Sequence, residues 1–238
     1  MKRLRAGRLA VAGVWIGMTA TGGMAAAQDM EHPTLARDNL HVGIAVGPIF
    51  PEDMSARLSG TITGSGQLSF NPAGAVAGFA GYDLTERLAA EAEIGWTLYD
   101  PFKLSGSFVG PGGPLPSIAL NGNFDTIIGL VNVLYRPLGN KGRFLPYLGA
   151  GIGFAHLDWS VSSQPNAAAL DVSGSAFDFA ADIAAGLDYA LTDKLSLGGR
   201  YRYLWINSDG GTLAGGGVVL THGDVHAHVL TANARYRF

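Results

Sequence analysis

"RLAAEAEIGWTLY", residues 87–99, sorts itself in twos. Leu88, Ala90, Ala92, Ile94, Trp96 and Leu98 fall on one side, and Arg87, Glu91, Glu93 and Thr97 on the other. A strand alternates its side chains between two faces, whereas a helix would scatter these charges around its circumference. The stretch therefore reads as a strand with one greasy face and one charged face. The rest of the chain must supply surroundings that suit both.

The scheme recurs. Within residues 177–189, Phe177, Phe179, Ile183, Leu187 and Tyr189 oppose Asp178, Asp182, Gly186 and Asp188. Within residues 195–205, Leu195, Leu197, Tyr201, Tyr203 and Trp205 oppose Ser196, Gly198, Arg200 and Arg202. The ending "TANARYRF", residues 231–238, sets Ala232, Ala234, Tyr236 and Phe238 against Thr231, Asn233, Arg235 and Arg237. Eight such segments can be marked, near 40–50, 70–82, 87–99, 124–136, 144–157, 176–190, 194–206 and 225–238. "DLTE", "PLGNKGR" and "LTDK" make short charged turns between some of them. The other connections, near 51–69, 100–123, 158–175 and 207–224, are long and rich in Gly, Ser, Pro and Asn. Short turns alternating with long loops are the habit of barrels that cross an outer membrane. Repeated long structureless loops would count against a compact soluble domain.

Composition agrees. The chain is 47% hydrophobic and only 15% charged, against roughly a quarter charged in ordinary soluble domains. Beyond its first residues it has no apolar run of the ~18 needed for a spanning helix. It contains no Cys, which excludes disulfides and thiolate metal sites. The opening is separate: Lys2, Arg3, Arg5 and Arg8 precede an uncharged stretch to about Met24, followed by Ala25 and Ala27. This pattern predicts a cleaved signal peptide over residues 1–27, then a flexible N-terminal lead over 28–39. Removing residues 1–27 takes away four of the sixteen Lys and Arg and none of the nineteen Asp and Glu, leaving a net charge of −7. That charge argues against a nucleic-acid partner.

The greasy face must point to lipid. By parity, Glu91, Glu93, Asp178, Asp182 and Asp188 point the same way as Arg87, Arg136, Arg200, Arg202, Arg235 and Arg237. A lumen can pair such charges, and the pattern predicts that Glu91, Glu93, Asp178 and Asp182 pair with Arg200, Arg202, Arg235 and Arg237. Trp96, Tyr99, Tyr135, Tyr189, Trp205, Tyr236 and Phe238 sit near segment ends, as interfacial girdles require. A strand in lipid cannot leave its edge unpaired, so the eighth segment must meet the first. The expectation is an all-β fold over residues 40–238: an eight-stranded antiparallel transmembrane β-barrel of the cell outer membrane, with short periplasmic turns and four long outer loops.

Several stretches carry a resemblance. "ARYRF" at the end looks like the C-terminal signature of outer-membrane barrels. "PYLGAGIGFA" (residues 146–155), "LSLGGRYRY" (195–203) and "GYDLTERLAAEAEIGW" (81–96) resemble strands of OmpA-like and opacity-type eight-stranded surface proteins. The resemblance implies that the last aromatic, Phe238, is read by the barrel assembly machinery. No stretch here matches the peptidoglycan-binding domain of OmpA itself, so a tethering role is not implied.

Candidate chemistry is sparse. His222, His226 and His228 lie near one another, and His226 and His228 share a face, a spacing that can hold a metal; interfacial histidines under a polar loop are the plainer reading. Glu91 and Glu93 could suggest paired carboxylate catalysis, but on a strand facing arginines they read as ion pairs. Ser160, Ser162 and Ser163 follow His156, without a motif that fixes a triad. Gly149, Gly151 and Gly153 alternate as small lumen-facing residues do, and no helix follows them to make a phosphate loop. No catalytic, cofactor-binding or metal residue is assigned. The expected function is a non-enzymatic structural or surface-exposed barrel whose loops serve envelope integrity or surface interaction. Its expected partners are outer-membrane lipid and lipopolysaccharide, with an external ligand or host surface met through the loops. The alternatives are an enzyme acting on outer-membrane lipid of the lipid A class, and a narrow porin-like channel. Eight strands leave an interior just wide enough for side chains.

Overall fold

The computed structural model describes residues 39–99, 103–115, 118–163, 171–208, 212–215 and 217–238. The signal and lead read from residues 1–38 lie outside the described residues. The described residues from Asn39 to Phe238 form one compact unit. Among the described residues there is no α-helix, and the regular elements are strands.

Eight strands close into a ring: β1 (Leu40–Pro51), β4 (Ala73–Asp83), β5 (Leu88–Tyr99), β8 (Ile118–Tyr135), β9 (Phe144–Ser163), β10 (Asp171–Ala190), β11 (Leu195–Asn207) and β14 (Val225–Arg237). Every neighbour pair is antiparallel, and β14 returns to β1 with His41 opposite Arg237 and Pro51 opposite Ala227. Phe238 N donates to Leu40 O at 3.1 Å, completing the seam at the chain end.

The short turns gather at one end of this ring. Two share one device. In "LTER", Thr85 Oγ1 accepts from Leu88 N at 2.9 Å; in "LTDK", Thr192 Oγ1 accepts from Leu195 N at 2.9 Å. A threonine hydroxyl thus stands in for a backbone acceptor and fixes the register of each hairpin. The third turn bends at Gly139, whose φ of 77° favours glycine.

The outward positions of the ring are apolar. On β10, Tyr189, Leu187, Ala185, Ile183, Ala181, Phe179 and Phe177 follow one another, and Ser175 and Ser173 come next. Twelve residues at ~3.3 Å each, tilted about 45°, cover about 28 Å, the height of a lipid-facing band. Ile44, Ile94 and Ile183 are each more than 60% exposed. Such exposure is costly in water and comfortable in hydrocarbon.

The long loops depart from their reading as unstructured connections. They carry six further strands: β2 (Met54–Gly60), β3 (Thr63–Ser69), β6 (Lys103–Gly110), β7 (Gly113–Leu115), β12 (Thr212–Gly215) and β13 (Val218–His222). These pair in the order β10–β12–β13–β2–β3–β6–β8, so β8, β9 and β10 run up through a second, upper ring. The segments read as 124–136, 144–157 and 176–190 therefore extend well into the supposed loops. Ser and Thr on the outside of these strands, with Gly64, Gly66 and Gly106 at inward positions beside Phe108, disguise them as loops, because the alternation that marks a strand needs large apolar residues along one face. Here those residues are Met54, Ala56, Leu58, Leu68, Leu104, Phe108, Val218 and Leu220, and all are buried.

Candidate functional site

The interior of the lower ring holds a charge network. Glu91 is its hub: its carboxylate accepts from Arg200 Nη2 at 2.9 Å, from Arg235 Nη1, and meets His41 Nε2 at 3.0 Å. Glu93 accepts from Arg200 Nη1 at 2.9 Å and from Arg202 Nη1 and Nη2 at 2.6 and 2.7 Å. Asp182 lies 2.6 Å from Arg202 Nε, an ion contact outside hydrogen-bond alignment. Asp188 lies 3.2 Å from Arg235 Nε. Nearer the turns, Asp83 accepts from Arg136 at 2.6 Å and pairs with Arg237 at 3.1 Å. Five arginines thus face five carboxylates. The rings of Phe79 and Tyr147 flank Arg200 and Arg235 at 5.1–5.9 Å, and Tyr147 OH accepts from Arg200 Nε at 2.9 Å.

Glycines make room for these side chains. A Cβ at Gly81 would run into His41 and Glu91, one at Gly151 into Asn132 and Asp182, and one at Gly186 into the Tyr147 ring. Of the alternating glycines of "GAGIG", Gly151 is the one that clears room for the charged network; a Cβ at Gly149 would meet Leu134 and one at Gly153 the backbone of Gly129.

Most of the expected pairing is present: Glu91, Glu93 and Asp182 meet Arg200, Arg202 and Arg235. Two members of the expected set differ. Asp178 accepts from Ser208 Oγ at 2.8 Å in place of an arginine, because it lies higher in the barrel, where the interior has turned apolar. Arg237 pairs with Asp83 and with none of the four expected carboxylates. Arg87 is exposed at the "LTER" turn, beyond the end of the lumen. Sequence reasoning missed His41, Asp83 and Tyr147. Parity could have found Tyr147, which is in phase with Gly149 and Gly151; His41 and Asp83 stand at strand ends, where alternation is too short to read.

Above the network the interior changes within one inward step. Along β11, Arg202 gives way to Leu204 and Ile206; along β10, Asp182 to Ala180; along β8, Asn132 to Leu130 and Ile128. From there upward a single apolar core continues into the upper ring and includes Ile49, Leu58, Leu68, Phe108, Leu157 and Leu220. Phe124 and Trp159 stack within it at 3.7 Å between centroids. His222 is buried there, its ring 4.8 Å from that of Trp159 and its Nδ1 3.0 Å from Gly223 O. Burial holds the His222 pKa below the ordinary histidine value.

His226 and His228 face the other way. They sit on the outer surface of β14, where Tyr203 OH meets His226 Nδ1 at 3.0 Å and Tyr201 OH meets His228 Nδ1 at 2.8 Å. His228 Nε2 also lies 3.1 Å from Glu52. The three histidines are therefore not brought together, and no cluster of three His, Asp or Glu poised for a metal occurs among the described residues. With Trp205, which donates to Asp224 at 3.1 Å, His226 and His228 form part of a belt at the top of the apolar band. Trp96, Tyr135, Tyr236 and Phe238 are exposed at the ends of the same band. His156 and Ser160 lie on strand β9, the former 3.3 Å from Asp158.

A closed ring with apolar outside, paired charges inside and short turns at one end defines an outer-membrane β-barrel. The chain belongs to the family described as "Outer membrane protein beta-barrel domain", whose profile matches residues 16–238. Uncharacterized proteins of Brucella abortus (strain 2308) and Brucella suis biovar 1 are each 40% identical to it over 79 residues, 31% of this chain and 28% of theirs. The match thus spans under a third of those relatives' length. Among solved structures, the fold is similar to the outer membrane protease OmpT from Escherichia coli (TM-score 0.53, 10% identity, 87% of this chain and 99% of that one). It is also similar to OprG from Pseudomonas aeruginosa (TM-score 0.50, 12% identity, 85% and 98%). At such identities the likeness concerns the fold alone.

Proposed function

We propose that the protein is a non-enzymatic surface barrel: the lower ring anchors it in the outer membrane, and the upper ring presents a rigid, hydroxyl-rich wall outside the cell. The observation that carries this reading is the filled interior, charged below and apolar above. An interior packed in this way conducts nothing and leaves the outer wall, with Ser55, Ser59, Thr63, Ser65 and Gln67, as the face offered to partners. Lipopolysaccharide would surround the belt of Tyr201, Tyr203 and Trp205, and an external ligand or host surface would meet the upper wall. Export would follow signal cleavage after Ala27. Single cysteines test the arrangement: Ser65→Cys should label in whole cells with an impermeant thiol reagent and Asn140→Cys should not. Purified protein in planar bilayers should show no stable conductance, and its overexpression should leave the lipid A pattern unchanged. A lasting open state would favour a channel, and a changed acylation pattern would favour an enzyme.

A further inference from the structure

The outer wall of the upper ring holds an open pocket of about 370 Å³, just above the rim. Ser55 and Arg57 of β2, Ser65 of β3 and Thr221 of β13 line it, with His222 and Gly223 where β13 ends. The ladder sets the key side chains in one row: Thr221 stands opposite Arg57, Arg57 opposite Ser65, and Ser65 opposite Ser107 of β6. Neighbours in such a row are about 4.8 Å apart. Arg57 is exposed and forms no ion pair among the described residues. The carboxylates at the rim below do not compensate it. Glu52 is paired with His228, Asp224 accepts from Trp205 Nε1 and Ser208 N, and Asp53 stands outside the pocket. The lining thus offers one free cation, three hydroxyls and no carboxylate.

That inventory selects a ligand class. A guanidinium only donates, whereas each hydroxyl both donates and accepts. The match is a molecule with hydroxyls of its own beside a single anionic group, which is an acidic saccharide. One guanidinium answers a carboxylate with two parallel hydrogen bonds, and would leave a phosphate dianion half neutralised. Height selects the source. The pairing of β2 with β13 continues that of β1 with β14 without a shift in register, Ala56 standing opposite His222 as Pro51 stands opposite Ala227. Arg57 lies five residues beyond Glu52, which contacts His228 of the belt. At ~3.3 Å per residue and a tilt of about 45°, this is about 12 Å above the apolar band. The headgroup layer of a leaflet is only about 5–8 Å deep, so a phospholipid ends below Arg57. The glycan of lipopolysaccharide continues past it. One charge-assisted contact with a few exposed hydrogen bonds gives an affinity on the order of millimolar. That suffices for a ligand anchored beside the wall, whose effective concentration is also about millimolar, and not for a dilute soluble one.

We propose that this pocket binds the acidic sugars of the surrounding lipopolysaccharide, with Arg57 receiving a carboxylate and Ser55, Ser65 and Thr221 meeting the adjoining sugar hydroxyls. The assignment rests on the reading above that the upper ring stands outside the cell. A lipid held in this way touches the barrel at two heights, its acyl chains on the apolar band and its glycan at Arg57.

The full-length protein, folded in nonionic detergent, is titrated against two fluorescent lipids and followed by anisotropy. One is a lipopolysaccharide that keeps the carboxylate sugars of its inner core; the other is lipid A, which lacks them. The core-bearing lipid should bind about tenfold more tightly, the equivalent of one charge-assisted contact. Arg57→Gln should erase that difference, Arg57→Lys should keep part of it, and Thr221→Val should reduce it. Heat-modifiable migration on gels reports that each variant remains folded. Equal affinity for the two lipids in the wild type, or a difference that survives in folded Arg57→Gln, overturns the proposal. Arg57-dependent binding of free glucuronic acid, without any preference between the lipids, would move the pocket to a soluble ligand and overturn the lipid assignment. The titration does not depend on orientation in the cell, which Ser59→Cys, on the same wall outside the pocket, tests separately. Failure of this cysteine to react with an impermeant reagent in whole cells overturns the outside reading and the lipid assignment with it. Labelling together with a failed titration overturns the pocket alone.

Discussion

The lower and upper rings share strands β8, β9 and β10 but obey opposite rules. Along the lower part of β9, Leu148, Ala150, Ile152 and Phe154 face outward while Tyr147, Gly149 and Gly151 face the charged lumen. Along its upper part, Asp158 and Ser160 face outward while Leu157 and Trp159 are buried. Phase never slips, yet polarity reverses. The cause is the solvent outside. Where hydrocarbon surrounds the barrel, apolar side chains gain nothing by turning inward, and the lumen is the place where charges can be satisfied. Where water surrounds it, the ordinary hydrophobic effect fills the inside with Leu, Phe and Trp. One barrel wall is thus a membrane protein for half its height and a soluble β-barrel for the other half, and the rim is where the two rules meet.

The largest expected effect comes from breaking the lower ring's own rule. Glu91→Leu removes the hub of the network and leaves a closed lumen one positive charge in excess, with Arg200 and Arg235 keeping only Glu93 and Asp188 and His41 losing its Nε2 partner. We expect a loss of about 3–5 kcal/mol in denaturant unfolding followed by heat-modifiable migration, because a buried charge deprived of its partner is far more costly than the pair was worth. Unchanged stability would mean that water reaches this network freely, and the filled interior would have to be abandoned.

A matched pair sharpens the contrast outside. Ile183→Arg puts a charge on the middle of the apolar band and should cost about 2–4 kcal/mol in lipid. Ser65→Arg makes a like change on the outer wall of the upper ring and should stay within about 0.5 kcal/mol. Equal effects at the two sites would place both in the same solvent and erase the boundary drawn at the rim.

The smallest effect is a pH response confined to the upper ring. His222 is held neutral by burial beside Trp159, with the Asp178 carboxylate and Gly223 O pulling weakly the other way. Its folded pKa lies below its unfolded value, so stability is full above about pH 6.5, where both states are neutral. It declines as pH falls from there towards the folded pKa, because the unfolded chain takes up the proton first. Acidification should therefore speed protease cleavage in the upper hairpins while the lower ring keeps its heat-modifiable migration. His222→Gln should flatten that dependence; if it does not, another group titrates.

The sequence by itself determined the lower ring. Eight alternating segments, a balanced charged face and the repeated Leu-Thr turns are local signals: a period of two needs only a dozen residues to declare itself, and lipid demands it of every spanning strand. It also determined which charges share the lumen, since parity fixes the face a side chain takes. It did not determine who pairs with whom. Glu91 meets Arg200 and Arg235 from residues more than a hundred positions away, and Asp178 lies too high to join them, because strand tilt and stagger set the height of each side chain in the barrel. Nor did it reveal the upper ring. There the outward residues are mostly polar, glycines such as Gly64, Gly66 and Gly106 interrupt the inward face, and each strand is short, so the chain reads as loop until β8, β9 and β10 rise above the membrane and offer edges on which the hairpins can pair. Those edges exist only once the barrel has closed, and tertiary structure alone turned four long loops into a second wall.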